Sequence, residues 1–184
     1  MNSSGKAQSQ LLELICHTAS PCLSVREIKV ELVRLTPAGL KLSYLVTGDI
    51  SQVRVPQPFT NTRQDELWRH TCAELFVAAP GEASYSEFNF SPSTQWAAYS
   101  FGGYRQNMRV IEVRSPLVTS TALANVLKID VQLELPVEMA AEPQLRVGLS
   151  MVIEERSGQC SYWALKHLSP MPDFHQLESF VANV

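Results

Sequence analysis

Between Leu67 and Met108 the chain runs LWRHTCAELFVAAPGEASYSEFNFSPSTQWAAYSFGGYRQNM, which mixes two of the three tryptophans, three of the five tyrosines and four of the seven phenylalanines with polar groups able to do chemistry. Glu74, Glu87 and Asn89 offer carboxyl and amide oxygens. Arg69, His70 and Arg105 offer cations or donors, with Trp68, Trp96, Tyr99 and Tyr104 between them. In an extended chain successive side chains alternate between faces, so Tyr85, Glu87 and Asn89 share one face and Phe88 and Phe90 the other. From Thr71 to Val77 the two rows are Ala73, Leu75 and Val77 against Cys72, Glu74 and Phe76. If the two strands pair, Glu74 and Glu87 or Asn89 become cross-strand neighbours. Adjacent carboxylates repel and require a cation, a shared proton or an arginine between them. Arg69 and Arg105 are the nearest arginines in sequence, and either can form a bidentate pair.

Three chemistries fit this pattern. The first is an ion-pair network that fixes strand register. The second is a pocket in which Trp68, Trp96 or Trp163 stacks on an apolar ring face while Glu, Asn and Arg bind hydroxyls, an arrangement suited to sugars. The third is a hard-cation site built from Glu74, Glu87 and Asn89 oxygens, although no dense Asp/Asn loop accompanies them. Further on, SYWALKH is followed by PDFH, so His167, Asp173 and His175 invite a metal or acid–base reading. Their spacing, interrupted by Pro170 and Pro172, is not that of a zinc site, and a loop in which Asp173 and His175 bond the backbone is favoured. No nucleophile elbow, phosphate loop, HExxH or dinucleotide fingerprint occurs. A two-carboxyl glycosidase through Glu74 and Glu87 is the enzymatic alternative.

The elements that must hold these residues are strands. Ile28, Val30 and Leu32 alternate with Glu27, Lys29 and Glu31, and Leu40, Leu42, Tyr44 and Val46 alternate with Lys41 and Ser43. With Thr36-Pro37-Ala38-Gly39 as the turn, Arg26 to Thr47 is a hairpin. Strands are expected at Leu11–Cys16, Val53–Val55, Thr71–Ala78, Tyr85–Phe90, Gln95–Phe101, Arg109–Arg114, Leu127–Leu135, Leu145–Ile153 and Cys160–His167, with Phe59–Glu66 a polar loop. No helical period stands out. Short strands divided by turn signals predict one all-β antiparallel sandwich of about ten strands over 11–184, preceded by a flexible 1–10.

Composition narrows the partners. The 184 residues are 45% hydrophobic and 18% charged, with a formal net charge of −3. Lys and Arg form no basic run, which argues against nucleic acid. No apolar run approaches the roughly 20 residues of a membrane span. Leu11 to Ile15 is too short for an export signal, so the expected setting is the cytoplasm. Cys16, Cys22, Cys72 and Cys160 show no metal spacing and are expected to be reduced thiols packed as small apolar side chains.

The runs LWRHTCAELFV, YSEFNFSPSTQWAAYSFGGYRQNM and SYWALKH with PDFH resemble the bacterial DOMON-like proteins, relatives of the DOMON superfamily and of family 9 carbohydrate-binding modules. The likeness extends from about Leu11 to the C-terminus. It implies a β-sandwich that binds a sugar or a haem. Family 9 modules hold a sugar between aromatic side chains, a role open here to Trp68, Trp96, Tyr99, Tyr104 and Trp163. Haem-binding members use a Met and a His, which here implies Met108 with His70 or His167. The expectation is a non-catalytic module for a small ligand, a carbohydrate first, with no metal or cofactor. Its contacts are expected from Trp68, Arg69, Glu74, Glu87, Asn89, Trp96, Tyr99, Tyr104, Arg105, Trp163 and His167. The alternatives are a haem-binding domain or a protein-interaction scaffold.

Overall fold

Alternation of apolar and polar residues buries one face of each long strand, and two such sheets close over a shared core. A computed structural model describes residues 9–184. The strands are β1 (Ser9–Cys16), β2 (Val25–Arg34), β3 (Gly39–Gly48), β4 (Cys72–Ala78), β5 (Tyr85–Phe90), β6 (Trp96–Phe101), β7 (Arg109–Val110), β8 (Leu117–Ala122), β9 (Val126–Glu134), β10 (Arg146–Glu154), β11 (Cys160–Ala164) and β12 (Ala182–Asn183). All pairings are antiparallel, in the order β7-β6-β5-β4-β10-β11-β1-β2-β3-β9-β8, with β12 beside β10. β1 changes partner along its length: Ser9 to Leu14 pair with β2, while Ile15 and Cys16 pair with Ala164 and Trp163 of β11. It thereby joins a first sheet (β1-β2-β3-β9-β8) to a second (β7-β6-β5-β4-β10-β11).

The core between the sheets takes Ile28, Val30, Leu32, Leu42, Val46, Ile129 and Val131 from the first sheet. Ala73, Leu75, Val77, Phe88, Phe90, Val147, Leu149 and Met151 come from the second. The apolar row expected from strand parity is therefore the inner face. The outer face of the first sheet is solvated and carries ion pairs such as Lys29–Glu27 and Lys128–Asp130. The outer face of the second sheet is covered instead. A separate apolar cluster of Leu67, Phe76, Tyr85, Phe101 and Phe180 lies on it, with Phe174 and Leu177 packed against it.

Several boundaries differ from the sequence expectation. Val53 makes only an isolated bridge to Glu155, after a 3-10 turn (Ile50–Gln52) capped by the Asp49 side chain. Pro56 and Pro58 lack the donors to extend that bridge into a strand. The strand expected over Arg109–Arg114 keeps only Arg109 and Val110 in its ladder, at the edge of the second sheet. Cys160–His167 is a strand only as far as Ala164. Leu117–Ala122 is a strand that the sequence reading passed over, since LVTSTA lacks a clean apolar row. A single helical turn, α1 (Val137–Ala140), follows Pro136. Ser9 and Gln10, expected in a flexible terminus, belong to β1, while 1–8 lie outside the described residues.

Candidate functional site

The residues on the outer face of the second sheet are set by register. Glu74 of β4 lies opposite Asn89 of β5, and Phe76 opposite Glu87, so the two glutamates are diagonal neighbours. On the flanks, Tyr99 of β6 lies opposite Glu87, and Ser150 of β10 opposite Glu74. Tyr162 of β11 lies opposite Val152.

Three segments roof this floor. One is the loop that ends in the 3-10 turn Leu67–Arg69, and the second is the β6–β7 loop. The third is the segment that follows β11, anchored where Phe180 packs on Phe76 and Tyr85. Gly148 makes that anchor possible, because a Cβ there would lie 2.6 Å from Phe180 Cδ1. Between roof and floor remains a cavity of about 580 Å³. Its floor includes Glu74, Glu87, Tyr99 and Tyr162, and its walls include Trp68, Arg105, Met108, Asp173, Phe174 and His175.

Both glutamates are buried, at 3% and 5% exposure. Asn89 Nδ2 donates to Glu87 Oε1 at 2.6 Å, and Ser150 Oγ donates to Glu74 Oε2 at 3.1 Å. Among the described residues, Glu87 Oε2 and Glu74 Oε1 accept no hydrogen bond. Burial pushes Glu74 well above the usual carboxylate range, and the nearby Glu87 pushes it further, against the Ser150 hydrogen bond and the Arg105 charge. Burial also raises Glu87, against Asn89 and Arg105.

The remaining polar wall is tied together. Arg105 adopts a left-handed backbone (φ 52°) in the turn where Gly102 N–H bonds Gln106, a conformation that bulky side chains rarely take without support. Its Nη2 donates to Asp173 Oδ1 at 2.9 Å, while Tyr104 Oη donates to Asp173 Oδ2 at 2.6 Å. Burial works against ionisation of Asp173, but the bonds from Tyr104, the His175 N–H, Arg105 and Gln176 outweigh it and hold the carboxyl down to about 2. Burial and the Arg105 charge lower His175 to about 4, against the pull of Asp173. The Arg105 N–H donates to Tyr85 Oη at 3.2 Å, and the same hydroxyl shares a hydrogen bond with His175 Nδ1 at 2.8 Å. The other ring nitrogen of His175, Nε2, lies 3.8 Å from Glu87 Oε2.

The expected site residues divide into three groups. Glu74, Glu87, Tyr99, Trp68 and Arg105 line the cavity together with Met108. Asn89, fully buried, and Tyr104 act from behind, holding Glu87 and Asp173 respectively. Arg69, Trp96, Trp163 and His167 lie elsewhere. Arg69 pairs with Glu66 at 2.8 Å, sits over the Trp68 ring, and lines another groove with His70. Trp96 and Trp163 point inward and are 6% and 5% exposed, whereas Trp68, on its short turn, is 46% exposed. His167 donates from Nε2 to the Ile15 carbonyl and packs edge-on against His17. Met108 therefore has neither His70 nor His167 beside it in the cavity, and the expected axial pair does not form. The bidentate arginine between the glutamates is not formed either, because Arg105 is spent on Asp173. The hard-cation trio also fails: Asn89 gives its amide hydrogen to Glu87, and its oxygen faces Cys72 Sγ at 3.9 Å.

Sequence reasoning noticed PDFH but placed Asp173 and His175 in a backbone-bonding loop. The Asp173 side chain does accept from the His175 N–H at 3.1 Å, yet both residues also wall the cavity. Tyr162, Phe174 and Asp65 were missed as well. For Tyr162 the available signal was its parity opposite Trp163, the buried member of the pair.

The fold has solved counterparts. A protein from Bacteroides uniformis, provisionally assigned as carbohydrate-binding, superposes with a TM-score of 0.68 at 14% identity, over 94% of this chain and 84% of that one. A family 9 carbohydrate-binding module from Caldicellulosiruptor kristjanssonii, solved with glucose, gives 0.52 at 9% identity, over 94% and 82%. No protein-family model matches the sequence, and no curated protein matches it significantly.

Proposed function

We propose that this chain is a non-catalytic, DOMON-like relative of the family 9 carbohydrate-binding modules, and that it takes a small sugar in the cavity on the outer face of its second sheet. The observation that carries this reading is the cavity itself. It combines carboxyl oxygens free to accept hydroxyl hydrogens, at Glu74 and Glu87, with the rings of Trp68, Tyr99, Tyr162 and Phe174 for a sugar's C–H face. Its volume lies within the few hundred to a thousand Å³ typical of small-molecule sites. The solved folds named above support the reading, since one of them was solved with glucose. All four cysteines are free thiols, which supports a reducing, cytoplasmic setting.

The test is a titration of mono- and disaccharides followed by tryptophan fluorescence and calorimetry. Saturable emission changes that disappear in Trp68→Ala support the proposal. A flat response across the panel from folded protein overturns it.

A further inference from the structure

The charged groups around the cavity are already matched, apart from two. Asp65 is held by Arg63 at 2.6 Å, Glu66 by Arg69 at 2.8 Å and Asp173 by Arg105 at 2.9 Å. Glu74 and Glu87 have no such partner, and each presents one oxygen with no hydrogen bond from the described residues. Buried carboxylates without a counter-charge are costly, and burial raises both glutamates toward their protonated form. We propose that the ligand brings this cation: the cavity is built for a small molecule bearing a primary ammonium group, an amino sugar, whose nitrogen docks on Glu87 Oε2 and Glu74 Oε1. This rests on the carbohydrate reading of the same cavity.

Other cations fit less well. A primary ammonium has three donors, matching two free oxygens with one donor to spare. A quaternary ammonium has none and leaves both carboxyl oxygens unsatisfied. A hard metal ion needs about six oxygens, and Asn89 is turned away from the cavity. The rings of Trp68, Tyr99 and Phe174 around the same space favour a positive charge further.

The phenols and Cys72 beside the pair remain to be placed. Burial raises Tyr85, Tyr99 and Tyr162 and raises Tyr44 and Cys72 well above their usual values, so all five stay neutral. His175 is neutral near pH 7, and Arg105 is committed to Asp173. The groups left to exchange protons on binding are the two glutamates. An arriving ammonium favours the ionised carboxylates, so binding drives proton release from the raised pair to solvent.

The test is calorimetry of the full chain at pH 7 with glucose, N-acetylglucosamine, glucosamine and cyclohexylamine, in two buffers of different ionisation enthalpy. Glucosamine is expected to bind at least about tenfold tighter than glucose or N-acetylglucosamine, as a charge-assisted hydrogen bond gives. Proton release should accompany the amines alone. Glu87→Gln and Glu74→Gln should each reduce the preference and the released proton, with folding checked by thermal melting. The released proton in the unmutated protein is read independently of either variant. Equal binding of all three sugars without proton release overturns the ammonium inference and leaves the carbohydrate reading standing. Binding of both amines with no preference for the ring hydroxyls supports the ammonium contact and overturns the carbohydrate reading. Binding of none overturns both.

Discussion

Arg105 is paired with Asp173 and not with either buried glutamate, although all three line one cavity. The pairing links the β6–β7 loop to the segment after β11, so the two halves of the roof are joined by a charge-assisted contact.

Asp173 should therefore show itself in acid. Its folded value, about 2, lies below the ordinary 3.8, so its stabilisation is present above pH 3.8 and is lost as the pH falls through the range down to about 2. Urea melts of the native protein and Asp173→Asn between pH 2 and pH 6 should differ most near pH 6 and converge near pH 2. A constant difference across that range would assign the loss to packing instead.

The glutamate pair should act with the opposite sign. Both folded values are raised, so the contribution of the pair is favourable at low pH and is lost as the pH rises through the raised values. Without ligand, Glu74→Gln should melt above the native protein at pH 8 and lose that advantage near pH 5. A lower melting temperature for the variant at pH 8 would count against raised values.

Burial separates the core aromatics from the half-exposed Trp68 proposed to meet the ligand. Phe88→Ala should cost about 3–5 kcal/mol, since Phe88 is fully buried between the sheets, and Trp96→Ala should cost a similar amount. Trp68→Ala should cost less than about 1 kcal/mol, because its ring is half exposed, yet remove the ligand-dependent fluorescence. Chemical denaturation alongside sugar titration measures both.

Gly148→Ala tests the anchor. The added methyl group collides with the Phe180 ring, so the segment bearing Asp173 and His175 must shift. A loss of about 1–3 kcal/mol is expected, as for other overpacked sites, with a weaker sugar affinity. Unchanged affinity in a destabilised variant would show that the anchor does not govern the cavity.

Strand parity made most of the fold and half of the site readable. The rows Ala73-Leu75-Val77 and Phe88-Phe90 face the core as their alternation requires. The opposite row, Glu74-Glu87-Asn89, is equally regular in sequence, but regularity does not reveal whether a face meets water. That depends on Leu67, Phe174 and Phe180, which reach the second sheet from distant loops. Trp96 and Trp163 misled because an indole suits a core and a sugar platform equally well. His175 and Asp173 were visible as a motif, but their neighbours Tyr85 and Arg105 are far off in sequence, and no local pattern predicts such a contact.

β1 has a consequence for how the molecule is made. Its first residues pair with β2 through nearby chain, but Cys16 and its partner Trp163 are separated by most of the sequence. Contacts of such separation are slow to form. Until β1 arrives, the β11 side of the second sheet is a bare row of backbone donors and acceptors, a template for another chain. β1 is thus a guard against self-association, and refolding yield should fall as protein concentration rises.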